Sequence, residues 1–247
     1  MATDEGAEWV LKGGAALEFR LRERARTTKD LDVAARLGCL KGDDVRSRLI
    51  EAISPDLDGD GFVFRAAQPT DLSDDLAGRG AWRFTIRALL AGRLFATIKL
   101  DVVARSEEIA VTEQLSLPNT LDFAGTPPRS IEAVDRRQHF AEKLHALTRD
   151  YGNRANTRVK DLADLVLLIE SGLLPDSSLV AVVRHVFDVR GTHALPRRIA
   201  DPPLAWASQY PGIAEKLTDS PPTVSDAMAV LRDFWDAAHL ASPTALA

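Results

Sequence analysis

Two neighbouring stretches of alternating residues, 81–91 and 93–104, constrain the fold of this chain more than any other part of its sequence. Both are rich in β-branched and aromatic residues and predict strands whose successive side chains point to opposite faces of a sheet. The short connection between them, Ala-Gly-Arg, predicts a hairpin. One face of the second strand is apolar throughout and consists of Leu94, Ala96, Ile98, Leu100 and Val102.

The remaining patterns divide the chain into an α/β half, residues 1–125, and a helical half, residues 126–247. The first half adds predicted strands at 29–36 and 61–68 and predicted helices at 14–25 and 43–53. A segment rich in Gly, Pro and Thr, 123–130, predicts the linker. Beyond it, the predicted helices are 131–151, 158–172, 177–189 and 223–241, with an ordered loop packed by its aromatic residues over 201–212. The predicted fold class is therefore α+β.

Composition excludes several classes of protein. The 247 residues are 45% hydrophobic and 27% charged, which is typical of a globular chain, and a single cysteine, Cys39, cannot form an intrachain disulfide. The longest apolar run, 165–169, is far shorter than the roughly 20 residues of a membrane span. The first residues are acidic and lack the pattern of a signal peptide. We therefore expect a cytoplasmic protein with no membrane partner.

The charge distribution permits a polyanionic partner although the formal net charge is −5. Residues 129–200 contain 12 basic and 9 acidic side chains, whereas the segments on both sides are acidic. Charges attract one another only over roughly 8–10 Å at physiological ionic strength, so a locally basic segment can still bind phosphate. The residues that could line the path of such a polyanion, for example an RNA strand, are Arg136, Arg137, Arg149, Arg154, Arg158 and Lys160.

Asp30 and Asp32 are the first candidate chemical groups. Residues two apart on a strand project to the same face, so the two carboxylates lie side by side. Because like charges repel, a cation between them is favourable, and Mg²⁺ prefers such oxygen ligands. The commoner alternative for such a pattern is a solvated pair at a strand end.

Asp101 is the second candidate, because it lies between Leu100 and Val102 in a strongly apolar strand. A carboxylate in that position either serves the chemistry of a site or forms an ion pair with a nearby arginine or lysine. The sequence leaves both alternatives open.

Gly13 and Gly14 are the third candidate, since they open a predicted helix. Glycines let the backbone approach a ligand closely, and a helix N-terminus offers unpaired N–H groups to an anion. Read alone, the pair is more often a tight turn. Together with the Asp-x-Asp strand and the later aspartate, however, it follows the order of nucleotidyltransferases, in which three carboxylates hold one or two Mg²⁺ ions (Mn²⁺ is possible) against an NTP.

Four motifs in the same order resemble the AbiEii/AbiGii nucleotidyltransferase toxin family, which includes the MenT-type toxins. They are LKGGAALEFRLRERARTTKDLDV, KLDVV, FAEKLHALTRD and RVKDLADL, and they span residues 11 to 165. The resemblance implies an N-terminal nucleotidyltransferase (polymerase-beta-like) lobe with a mixed sheet, a C-terminal helical lobe and a cleft between them. It also implies transfer of NMP to the 3′ acceptor end of tRNA, which inhibits growth, and a cognate antitoxin encoded separately.

The resemblance also implies roles for single residues. Asp30 and Asp32 bind metal with Asp101, while Lys143 and Asp161 complete the catalytic set from the helical half. Asp164 competes with Asp161 for its position, and a lysine that only extends to solvent is the alternative for Lys143. The residues matched to nucleotide or phosphate binding are Gly13, Gly14, Arg26 and Thr28.

Two other functions remain open at this point. One is nucleotidyl transfer to a small hydroxylated molecule, as in aminoglycoside-modifying enzymes of this fold. The other is a non-catalytic module that only binds a nucleotide. The five histidines show no metal-ligand spacing, and we expect each of them to be structural.

Overall fold

The computed structural model describes residues 8–36, 41–56, 59–72, 80–104, 106–118, 128–217, 219 and 221–241. The strands are β1 (Trp9–Lys12), β2 (Asp30–Ala35), β3 (Phe62–Ala66), β4 (Thr70–Asp71), β5 (Ala81–Leu90), β6 (Arg93–Val103), β7 (Thr112–Ser116) and β8 (Ser130–Val134). The helices are α1 (Gly13–Leu21), α2 (Gly42–Ile53), α3 (Arg136–Thr148), α4 (Val159–Glu170), α5 (Ser177–Arg190), α6 (Trp206–Gln209), α7 (Pro211–Ala214) and α8 (Val224–Leu240).

The strands of the described residues form one mixed eight-stranded sheet in the order β3-β5-β6-β2-β1-β8-β7, with β4 beside β5. Strands β2 and β6 are parallel, as are β1 and β8, and the other pairs are antiparallel. The predicted hairpin is confirmed. Its turn residues Ala91 and Gly92 both have positive φ, the conformation of a tight two-residue connection.

The two faces of the sheet have different environments. Helices α1 and α2 cover one face, where Ala16 and Leu49 pack against strand residues such as Val33, Phe84 and Leu100. The opposite face carries Asp30, Asp32 and Asp101, and we call it the carboxylate face. The apolar face predicted for the second hairpin strand is buried at Leu100 and Val102, but a register shift beside Leu89 moves Leu94 off it, and Leu94 is 59% exposed.

The predicted helix over 131–151 is wrong at its start. Residues 130–134 form β8, which pairs with β7 and β1, and the helix begins only at Arg136. The physical reason is the cap: the Asp135 carboxylate accepts a hydrogen bond from the Gln138 N–H at 2.8 Å and thus fixes the helix start. A strand from beyond the predicted boundary therefore belongs to the sheet, while linker residues 123–127 lie outside the described residues.

The other predicted elements are confirmed within a few residues, and β1, β4 and β7 were not predicted. The segment 201–212 was predicted as a loop but contains the short helices α6 and α7, and its aromatic residues Trp206 and Tyr210 are buried as expected. Helices α3, α4, α5 and α8 enclose a core in which Phe140, Leu165 and Trp235 are fully buried. No helix in the described part of the chain is long and apolar enough to span a membrane.

Candidate active site

The three predicted carboxylates meet at one cavity on the carboxylate face. Strands β2 and β6 run parallel with Asp32 directly opposite Asp101 and Asp30 opposite Lys99, so the backbone register itself brings the carboxylates together. The cavity has a volume of about 270 Å³. It is lined by Gly14, Arg26, Thr28, Asp30, Asp32, Asp101, Lys143, Thr157, Arg158, Lys160 and Asp161.

Gly13 and Gly14 let α1 begin directly beside the carboxylates. Gly13 has φ +63°, and a Cβ atom at this position would lie 2.0 Å from Asp32 Oδ2. A Cβ atom at Gly14 would lie 3.0 Å from Thr28 Oγ1. Gly13 is therefore required both by its left-handed backbone and by the close approach of Asp32.

Thr28 is held at the cavity wall by local hydrogen bonds. Its hydroxyl donates to the Asp30 carbonyl oxygen at 3.2 Å, and its N–H donates to Glu18 Oε2 at 3.0 Å. Glu18 lies on α1, so this bond joins the segment before β2 to the helix that begins at Gly13. The contact fixes where Asp30 enters its strand.

Asp101 forms the ion pair that the sequence left open. Arg83 lies opposite it on β5, and the guanidinium donates to both carboxylate oxygens at 2.7 Å. These hydrogen bonds raise the pKa of Arg83 above its usual value. In the described part of the chain, no three Asp, Glu, His or Cys side chains already stand in a metal-binding arrangement.

Lys143 is buried between two aspartates of α4 and does not extend to solvent. Its ammonium contacts Asp161 and Asp164 at 2.7 Å each. Burial alone would lower the pKa of Lys143, but the attraction of the two carboxylates outweighs it and raises the pKa. The lysine is therefore a fixed positive charge at the cavity wall.

Asp161 and Asp164 occupy different positions in this cluster. The Asp164 side chain is fully buried and accepts two hydrogen bonds of 2.9 Å from Arg26 in addition to the contact with Lys143. Burial would raise the pKa of Asp164, but Lys143 and Arg26 lower it below its usual value. Asp161 instead lines the cavity. The geometry thus gives Asp164 the role of holding Arg26 and Lys143 in place.

The carboxylates on the two parallel strands repel one another. Burial raises the pKa of Asp32, Lys12 opposes this rise, and the nearby Asp101 adds to it. A cation between these carboxylates would relieve both the burial cost and the repulsion.

Some residues at the cavity differ from those that the sequence predicts for the site. Arg158 and Lys160 were placed on an RNA path and line the cavity itself. Thr157 and Arg83 were not among the predicted site residues. Counting back from the hairpin turn would pair Asp101 with Trp82. The register shift between Ala88 and Leu89 moves the partner to Arg83, so the sequence alone did not show this ion pair.

Two arginines of the predicted RNA path are bound to the protein. Arg136 donates to the Ser171 carbonyl oxygen at 2.6 Å, and Arg137 pairs with Asp135 at 2.7 Å. Among the histidines, His139 and His145 are buried, and burial followed by the charge of Arg190 lowers the pKa of His145 to about 3. Both are neutral core residues, as expected.

The fold and the cavity together define a class of protein. A mixed sheet with three aspartates on two neighbouring parallel strands, next to a Gly-Gly helix start and a buried lysine, resembles a nucleotidyltransferase. The family model described as "Nucleotidyl transferase AbiEii toxin, Type IV TA system" matches residues 1–240, so the chain belongs to the AbiEii family. The predicted family is confirmed, and it is one of nucleotidyltransferase toxins that act with a cognate antitoxin. No curated protein matches the chain in sequence.

Proposed function

We propose that this chain is a metal-dependent toxin that transfers NMP from an NTP to the 3′ acceptor end of tRNA. The observation that carries the proposal is the shared cavity of Asp30, Asp32 and Asp101, into which Lys143 and Asp161 also project. Family membership supports nucleotidyl transfer, and the chemistry of the cavity supports a phosphate-bearing substrate.

The donor set fits a divalent metal. Carboxylate oxygens are the ligands that Mg²⁺ and Mn²⁺ prefer, and Asp30, Asp32 and Asp101 would supply them. When bound, such an ion polarises the phosphoryl oxygens and neutralises charge during in-line displacement. To bind the metal, the Asp101 carboxylate would have to contact the ion and Arg83 at the same time, because Asp101 and Arg83 are paired at 2.7 Å.

The residues of the chain account for the remaining steps. The acceptor hydroxyl oxygen forms a bond to the α-phosphorus, the bond from that phosphorus to the bridging oxygen breaks, and pyrophosphate leaves with the electron pair. Asp101 orients the hydroxyl and accepts its proton. Lys143, Arg158 and Lys160 neutralise the triphosphate as the pyrophosphate leaves. Gly14 lets the first turn of α1 approach the phosphates.

The basic groups around the carboxylates favour RNA over a cationic small molecule as acceptor. Four basic side chains line it, and Lys160 also lines an adjoining cavity of about 290 Å³ together with Arg26 and Lys216. An aminoglycoside, itself a polycation, would be repelled by these groups. The antitoxin would be a separate chain.

The first test is nucleotide transfer. We expect α-³²P label from one or two of the four NTPs to enter total tRNA in the presence of Mg²⁺. Asp30→Ala should lower the transfer by about 10²–10³-fold, because it removes a metal ligand and its charge without opening a cavity in the core. Asp188→Ala, at an exposed position on α5, is the matched control and should keep wild-type activity. Label found only in a small molecule would contradict tRNA as acceptor, and substantial transfer by Asp30→Ala would contradict the metal site.

A second test concerns the ion pair between Arg83 and Asp101. We expect Arg83→Gln to bind Mn²⁺ about two- to fivefold more tightly, because a partly exposed ion pair of up to about 1 kcal/mol no longer competes for the carboxylate. Titration of Mn²⁺ followed by electron paramagnetic resonance measures this without turnover. Arg87→Gln, four residues along the same strand, is the control. Weaker Mn²⁺ binding by Arg83→Gln would show that the arginine instead orients Asp101 for the metal.

A further inference from the structure

Three basic residues share the carboxylate face with the aspartates. Lys99 lies on β6 opposite Asp30, Arg87 lies on β5, and Arg65 lies on β3 opposite Arg87. The residues that alternate with them, such as Ile86 and Ala66, are buried against α1 and α2, so the three basic side chains point to the other side. We call Arg65, Arg87 and Lys99 the basic row.

The basic row is free to bind a ligand. All three residues are exposed, and within the described residues none of them forms an ion pair or a side-chain hydrogen bond. The neighbouring side chains on the same face include Thr85 and Thr97, which offer hydroxyl groups. Asp101, already paired with Arg83, is the one acidic side chain that β3, β5 and β6 place there.

The basic row leads away from the candidate active site. Lys99 precedes Asp101 by two positions on β6, a distance of about 7 Å. Thr97 lies two positions further along and pairs with Arg87, which pairs with Arg65 on the edge strand. The positive charges therefore form a continuous line from the carboxylates to the edge of the sheet, with steps comparable to those between successive phosphates of an RNA strand.

We propose that the acceptor RNA lies along this face, with its phosphates on Lys99, Arg87 and Arg65 and its 3′ end at the carboxylates. The inference rests on the proposed function and adds the surface that carries the acceptor. Unpaired cations among hydroxyl groups on an open sheet suit a phosphate backbone, which needs charge and no particular base. A protein partner would favour exposed apolar groups. On this face those groups, Val63 and Leu94, lie beyond Arg65 and Arg87 at the strand ends away from the carboxylates, and Phe64 lies on the opposite face.

The proposal is tested with binding in the absence of NTP. A fluorescently labelled tRNA transcript is titrated with wild-type protein and with Arg65→Gln/Arg87→Gln/Lys99→Gln at several KCl concentrations. Each phosphate contact contributes about 0.7 to the slope of log K against log[salt] for a single strand, so we expect the slope to shrink by about 2 and the affinity to fall about 10–100-fold. Binding of a fluorescent NTP analogue with Mn²⁺ should not change.

The matched control removes the same three charges elsewhere. Arg48→Gln/Arg184→Gln/Arg197→Gln changes residues outside the cavity and should keep the wild-type slope. If the basic-row variant binds tRNA like this control, or if Arg158→Gln/Lys160→Gln alone reproduces the whole loss, the proposed surface is wrong. If wild-type protein binds no tRNA but transfers nucleotide to a small molecule, the surface is wrong while nucleotidyl transfer stands.

Discussion

Gly13→Ala should destabilise the protein by about 2–5 kcal/mol and lower nucleotide transfer by about 100-fold or more. Two costs add at this position. Left-handed backbone costs an L-residue about 1–2 kcal/mol, and forcing a methyl group into a packed site costs about 1–3 kcal/mol more. The new Cβ atom would start 2.0 Å from Asp32 Oδ2, so Asp32 has to move. A displacement of about 1 Å in a catalytic group can cost about 100-fold in rate.

Gly92→Ala separates the two costs. Gly92 has φ +76° in the β5–β6 turn, and no atom lies within 4 Å of the position that a Cβ atom would take. This variant should lose about 1–2 kcal/mol through its backbone alone and keep its activity. Urea unfolding and the labelled-tRNA assay measure both quantities. Equal stability and activity losses for the two variants would refute the contact between Gly13 and Asp32 as the cause.

Asp164→Asn should be the most destabilising isosteric change in the cluster around Lys143, by about 3–5 kcal/mol. The substitution keeps the volume and removes the charge, which leaves Arg26 and Lys143 buried with too little negative charge. The Asp164 side chain is fully buried and contacts both cations at 2.7–2.9 Å. Urea unfolding at neutral pH measures the loss.

The pH dependence follows from the lowered pKa of Asp164. A carboxylate whose pKa is lower in the folded protein stabilises it above the unfolded value of about 3.8 and loses this effect only as the pH falls below it. The difference in unfolding free energy between wild type and Asp164→Asn should therefore stay constant from neutral pH to about pH 4 and shrink in more acidic solution.

Asp161→Asn is the comparison that separates the role of holding Arg26 and Lys143 in place from a role in the proposed catalysis. Asp161 lines the cavity, and Lys143 keeps Asp164 as a partner when Asp161 is neutral. Asp161 is itself buried, so we expect a loss of about 1–3 kcal/mol, the cost of weakening a buried hydrogen bond to a charged group, with a fall in nucleotide transfer larger than this loss of stability explains. A greater stability loss for Asp161→Asn than for Asp164→Asn would reverse the two roles. Lys143→Ala is less informative, because it removes a structural charge and a proposed catalytic charge together.

Local patterns were sufficient to predict many elements and the candidate site. The alternation over 81–104 predicts the hairpin because β residues repeat every two positions, and the same rule puts Asp30 and Asp32 on one face. Capping residues and helix-breaking residues predict most of the helix ends. Residues 131–134 were assigned to the wrong element because a short stretch before a helix reads as its continuation, whereas pairing with β1 and β7 makes it a strand.

The distribution of charge over the surface could not be predicted from the charge along the sequence. Residues 37–128 have more acidic than basic residues, which placed the expected RNA path on the helical half. Strand alternation and pairing collect Arg65, Arg87 and Lys99 on one exposed face, while Arg136 and Arg137 are bound by the protein itself. Net charge along a segment therefore does not give the charge of a surface.

The sequence by itself determined which residue types are present, the period of each element and the family to which the chain belongs. These properties depend on neighbours a few positions apart. The tertiary structure decided which carboxylates meet, that Arg83 holds Asp101, and that Asp164 is buried while Asp161 lines the cavity. Those outcomes depend on strand register and helix packing between residues up to 138 positions apart in the chain, as for Arg26 and Asp164. Local sequence patterns do not predict such contacts, because they form only when the whole chain packs.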